Sequence, residues 1–217
     1  MPEIQCVQDA ELNILQLQVA EYVIRSFESP NSAVYPYHNL QHTRNVVSRA
    51  EEMANHYLLN ATDRFIATTA AWFHDIGHLY GEMRGHEERG ARIMEQWLST
   101  CGGDLSPANP GPASGNTGLV PAIRGCILAT KFPSHPTDLL QQIICDADTY
   151  HLGTDLFRQT DPLVRKEMTL RFGDMTADNW KQKTLAFLRQ HVFFTDYCQA
   201  LLNKKKQENI AWFEAQP

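Results

Sequence analysis

The segment Trp72-Phe73-His74-Asp75-Ile76-Gly77-His78 sets an adjacent His-Asp pair, with a further His one helical turn on, inside a run of apolar residues. A carboxylate and an imidazole in such surroundings are costly to desolvate unless a strong partner compensates, and a divalent cation compensates both at once. The dyad therefore reads as half of a metal site. Earlier in the chain His38 and His42 lie one turn apart, with His42 at the border of an apolar stripe, while His56 falls on the polar side and reads as a surface residue. Later, Asp146 occupies an apolar mid-helix context in which an unpaired carboxylate is disfavoured, whereas Asp148 turns well towards the polar side. Asp146 is thus the expected ligand of the two.

The elements that must bring these residues together all show helical periodicity. Apolar residues from Leu12 to Phe27 predict an amphipathic helix over about 8–28, and Tyr37-His38-Asn39-Leu40-Gln41-His42-Thr43 opens a second that runs to about Leu59. Asn60-Ala61-Thr62-Asp63 offers N-cap residues for a third, apolar around most of its circumference and hence central and buried. His74 and Asp75 close that helix and Gly77 breaks it, so two consecutive side chains lie at a helix end, where they can converge on one ion. A fourth helix starts at His86, a fifth spans about 119–130 and a sixth about 138–151. Two or three more are expected over 154–211, in the stretches Leu156–Arg171, Ala177–Arg189 and Phe193–Lys206. The stretch 101–118, rich in Gly, Pro, Ser and Asn, reads as an exposed loop within one domain, because candidate ligands lie on both sides of it. Strand-like alternation, internal repeats and a Gly-rich phosphate loop after a strand are all missing from the pattern. The expectation is an all-α, single-domain helical bundle over residues 1–217, with a motif-bearing core of about 35–155 and the helices of 154–211 packed on it.

With 217 residues, 43% of them hydrophobic and 20% charged, the chain can bury a core of ordinary size. Its net charge of −6 disfavours sequence-independent binding to duplex nucleic acid, which needs Lys and Arg to neutralise phosphates. Five Cys without a C-x-x-C pair fit reduced thiols in a cytoplasm better than a disulfide framework. The first residues lack a basic region followed by an apolar core, and no apolar run has the length of a membrane span. A soluble cytoplasmic protein without a membrane partner is expected.

Three motifs in this order, Tyr37-His38-Asn39-Leu40-Gln41-His42-Thr43, Phe73-His74-Asp75-Ile76-Gly77-His78 and Cys145-Asp146-Ala147-Asp148, resemble those of the HD superfamily of metal-dependent phosphohydrolases. The first is also similar to the His-Asn-x-x-His segment of the cyclic-nucleotide phosphodiesterases in the same broad superfamily. The resemblance implies a divalent metal ion (Fe, Mn, Zn, Co, Ni or Mg) held by His42, His74, Asp75 and Asp146. It implies His38 as the acid that protonates a leaving group and His78 as a residue near the ion that helps orient the water. His86 matches a His found at the start of the next helix in HD proteins with two or three metals, but Thr130 stands where a further His is expected, so one ion is favoured over two. His86, with Lys131, is then expected to meet a substrate phosphate. The implied activity is hydrolysis of a small phosphate ester, a nucleotide being the expected kind, by a metal-activated water. The alternative is an HD-fold sensory or nucleotide-binding module that keeps its metal without turnover.

Overall fold

The computed structural model describes residues 2–29, 35–101, 118–173 and 176–216. Nine α-helices account for most of these: α1 (Pro2–Phe27), α2 (Leu40–His56), α3 (Ala61–Phe73), α4 (His86–Cys101), α5 (Leu119–Ala129), α6 (Leu139–Thr149), α7 (Phe157–Phe172), α8 (Ala177–Gln190) and α9 (Asp196–Glu214). Short 3-10 helices follow α3 (Ile76–Tyr80) and α6 (Tyr150–Gly153). No strand occurs among the described residues, so the fold is all-α. All but the ends of the expected 101–118 loop, and Pro30–Ser32 at the expected stop of the first helix, lie outside the described residues.

Helix α3 forms the axis. Asn60 caps it by accepting from Asp63 N at 2.8 Å, and its own amide donates to the Asp63 carboxylate at 3.1 Å, a reciprocal cap that fixes where the helix begins. From Phe65 to Phe73 every side chain is buried, and Ala67, Ala70 and Ala71 are small enough for α1, α2, α5 and α6 to pack around them. One hydrophobic cluster continues from Leu12 in α1 to Phe213 in α9. The second helix begins at Leu40, later than the sequence pattern suggests. Asn39 accepts from Gln41 N at 2.9 Å and His42 N at 3.1 Å, which leaves His38 just before the helix.

Two glycines set how closely α4 approaches the turn after α3. A Cβ on Gly77 would stand 2.0 Å from the His86 carbonyl oxygen, and one on Gly90 would stand 2.7 Å from that of Phe73. Backbone is met in both cases, so neither contact can be relieved by a side-chain rotation. Gly77→Ala is accordingly expected to cost about 3 kcal/mol, as for overpacking at a rigid site, and to lower the melting temperature by roughly 6–12 °C. Thermal unfolding followed by circular dichroism checks this, and an unchanged midpoint would show that α4 can shift freely.

Candidate metal centre

The dyad lies where α3 gives way to the 3-10 helix. His74 Nδ1 donates to the Ala71 carbonyl oxygen at 2.8 Å, which fixes the tautomer and leaves the Nε2 lone pair facing inward. His42 Nε2, from α2, is 3.4 Å from His74 Nε2. Asp75 Oδ2 is 3.2 Å from His74 Nε2 and 3.3 Å from His42 Nε2. That oxygen is buried and makes no hydrogen bond, although two nitrogens are in range. A buried carboxylate oxygen left without a hydrogen bond beside two imidazole nitrogens points with them at a common place, as the ligands of a cation do. His42, His74 and Asp75, three of the four expected ligands, are thus brought together.

The fourth expected ligand is not. Asp146 points away from the dyad and is fully buried against the start of α9, where it accepts from Phe194 N at 2.8 Å, Thr195 N at 2.8 Å and Thr195 Oγ1 at 2.6 Å. Its carboxylate holds the last helix in place and makes no ion pair with His42 or His74. Asp148 stands there instead, with Oδ1 3.1 Å from His42 Nε2 and 3.6 Å from His74 Nε2. The two aspartates lie on different faces of α6, and the face buried deepest is not the face that meets the site. The ring of donors is completed at the edge of the core, where the Asp148 side chain keeps 25% of its exposure.

Electrostatics separates the same residues. Burial alone pushes the His42 and His74 imidazoles down, yet Asp75 and Asp148 outweigh it and raise both. Burial likewise pushes the two carboxyls up, and the imidazoles outweigh that and hold both well below the usual range. The cluster thus draws positive charge to itself, which a divalent ion supplies directly. Two imidazoles and two carboxylates, without a thiolate, suit Fe, Mn, Co, Ni or Zn.

On the other side of Asp75 three further histidines gather. His38 Nδ1 is 2.7 Å from Glu167 Oε1, so the ring is anchored there and presents Nε2 to the site. Glu167 is fully buried and also accepts from Tyr37 N (3.0 Å), His38 N (2.9 Å) and Arg171 Nε (2.9 Å). His78 Nδ1 accepts from Arg171 at 3.3 Å, which places the proton on Nε2, a buried atom without a hydrogen-bond partner 3.7 Å from Asp75 Oδ1. Burial pushes the His78 imidazole down to about 2, so it is neutral at any ordinary pH. His86 stacks on His78 with ring centroids 3.8 Å apart, and its Nε2 is 3.4 Å from Asp75 Oδ1. His86, expected beside a substrate phosphate, thus stands against Asp75 and lines neither cavity that reaches the centre. Lys131 is a further correction: its ammonium is exposed and bound to Glu88 at 2.7 Å, and it lines neither cavity that reaches the centre.

Glu167 and Arg171 carry no signal in the sequence, since an i, i+4 Glu-Arg pair on a polar helix reads as a solvated face. Asp148 carried none either: the sixth helix is expected to run to about 151, and it is the stop of α6 at Thr149 that puts Asp148 at a helix end, where side chains can turn towards a shared ion.

Glu167 gives the centre a pH dependence of folding. Burial pushes its carboxyl up, but the His38 ring and the backbone amides of Tyr37 and His38 outweigh this and bring it from 4.5 to about 2. A depressed carboxyl contributes stability that is complete above 4.5 and lost as the pH falls towards 2. The contribution is up to roughly 3 kcal/mol. The stability difference between the native chain and Glu167→Gln, read from urea midpoints, is expected to be largest above pH 5 and to shrink towards pH 2. A gap that stays constant would mean that Glu167 is not ionised in the folded chain.

The model of the HD domain family matches residues 39–153, which carry the His42, His74-Asp75 and Asp148 cluster. The chain belongs to the HD domain family, an all-α family made up mostly of metal-dependent phosphohydrolases. No curated protein and no solved structure matches it. No helix of the described residues is long and apolar enough to cross a membrane.

Proposed function

We propose that the chain hydrolyses a phosphate ester with the help of one divalent cation held by His42, His74, Asp75 and Asp148. The observation that carries this reading is the buried Asp75 oxygen, close to two imidazole nitrogens yet bonded to neither. When bound, such a cation activates a water at neutral pH and neutralises charge on the phosphoryl oxygens. The protein's own part is to place the ester and move a proton. Water adds to phosphorus and gives up a proton to solvent, the ester P–O bond breaks, the alcohol leaves with a proton from His38 Nε2, and solvent returns a proton to His38. Glu167 holds His38 by Nδ1 and by its backbone amide, so the ring cannot turn from the site. Arg171, by donating to His78 Nδ1, takes His78 out of the set of lone-pair donors beside Asp75 Oδ1, which favours one ion over two.

The test is metal analysis of the purified chain, then a panel of phosphomonoesters, phosphodiesters and nucleotides with Mn or Co added. Bound metal and turnover, both absent from His74→Ala, are expected. Metal retained by the native chain without turnover of any ester would favour a binding module instead.

A further inference from the structure

Two cavities reach the centre, separated by Tyr37, Asp148 and His151, which line both. The smaller, about 290 Å³, touches His42 and has a mixed lining, with Gln41, Asn45 and Arg49 beside Val46, Leu156 and Leu163. The larger, about 510 Å³, is the one that His38 lines. This difference matters, because the proton donor must reach the leaving oxygen and the organic group is attached to that oxygen. Whatever leaves with the proton of His38 must therefore project into the larger cavity.

The lining of that cavity is largely apolar. Leu152, Phe157 and Trp180 line it as buried side chains, Met168 joins them, and Phe132 meets Phe187 edge to face with ring centroids 4.9 Å apart. Its inner polar groups are engaged with one another, since Trp180 Nε1 donates to Asp161 at 3.1 Å and Thr184 hydrogen-bonds the same carboxylate. Among the described residues lining it, Lys183 is the one lysine or arginine, so a polyphosphate chain finds little charge to meet it there. The volume suits a bicyclic ring or a comparable apolar body. Much of the lining comes from α7 and α8, beyond the residues 39–153 that match the family.

We propose that this cavity binds the leaving group of the substrate, and that the substrate is a phosphate ester whose alcohol carries a large apolar, preferably aromatic, group. The inference rests on the hydrolase reading for the position of the phosphate. It narrows the nucleotide expected from the family resemblance to an ester held by packing and ring contacts rather than by hydrogen bonds to a base edge.

The test compares 2-(1-naphthyl)ethyl phosphate with ethyl phosphate, whose alcohols leave about equally well, on the full chain loaded with Mn. The corresponding phosphonates, which cannot be hydrolysed at that position, are titrated by calorimetry with and without the metal. The naphthyl compound is expected to be favoured at least about 100-fold in both kcat/KM and phosphonate binding, in line with the discrimination an apolar pocket achieves over several carbons. Phe187→Ala is expected to cut that preference roughly tenfold. Thr184→Phe, which fills the space rather than opening it, is expected to cut it as well. A naphthyl preference below twofold, or one that neither variant changes, overturns the proposal, as does binding of adenosine monophosphate more than tenfold tighter than the naphthyl phosphonate. Turnover of both esters without preference would leave the hydrolase reading standing and remove this one. Preference in phosphonate binding without turnover of either ester would remove the hydrolase reading and, with it, the leaving-group role proposed here, leaving only an apolar binding site.

Discussion

Asp148→Ala is expected to empty the chain of its cation, and Asp146→Ala is expected to leave the cation in place while weakening the fold. The two carboxylates are two residues apart on α6, so the pair makes a strict test of which face meets the site. Asp148 stands 3.1 Å from His42 Nε2, and its removal leaves a three-residue set open on the solvent side. Metal content should fall from about one ion per chain to near none, because binding needs a complete, deprotonated ligand set. Turnover should fall by roughly 10³-fold or more, the several kcal/mol that a Lewis acid supplies to phosphoryl transfer. Added Mn at about 100 times its dissociation constant should stabilise the native chain by about 2.7 kcal/mol, raising its melting temperature by roughly 5–10 °C, and should not move the Asp148→Ala variant. Asp146 gives the opposite pattern. Its loss frees Phe194 N, Thr195 N and the Thr195 hydroxyl at the cap of α9, for a cost of about 3 kcal/mol. Elemental analysis and thermal unfolding of the two variants decide the matter, and metal lost from Asp146→Ala but kept in Asp148→Ala would reverse the assignment.

The same pair shows where sequence reading succeeds and where it stops. The all-α class, the central α3 and the meeting of His42 with His74 and Asp75 were legible, because each follows from periodicity or from the cost of burying a charge. The choice between Asp146 and Asp148 rested on that same cost, and it misled. A buried carboxylate needs a partner, but backbone amides at a helix start satisfy it as well as an ion does, and the amides of residues 194 and 195 lie too far along the chain to be foreseen. A ligand that must admit substrate belongs at the rim of the core, where amphipathic patterning puts polar residues without saying why. Glu167 and Arg171 were invisible for a related reason. Their partners, His38 and His78, are met only once α7 folds back over the motif segment, and nothing in a local window distinguishes them from a surface ion pair.

His38→Gln is expected to keep its metal and lose its chemistry, by roughly 10²–10⁴-fold in kcat for an ester with an alkyl leaving group. His38 packs against His42 with ring centroids 5.9 Å apart and stands within 4.8 Å of an Asp75 oxygen, but none of the contacts that draw His42, His74 and Asp75 together passes through it. What is lost is the proton that the departing alkoxide requires. A 4-nitrophenolate leaves without being protonated, so the same variant should lose less than about tenfold on a 4-nitrophenyl ester. That contrast separates a proton donor from a residue that merely shapes the pocket, for which both esters would suffer alike. Glu167→Gln should behave as a weaker copy, down about 10–100-fold on the alkyl ester with metal retained, since it removes the partner that orients His38 and not the ring itself. Combining the two should cost little more than His38→Gln alone, because a positioning residue has nothing left to position. Equal losses on the alkyl and nitrophenyl esters would show that His38 does not deliver the proton, and the cavity it lines would then have no special claim on the leaving group.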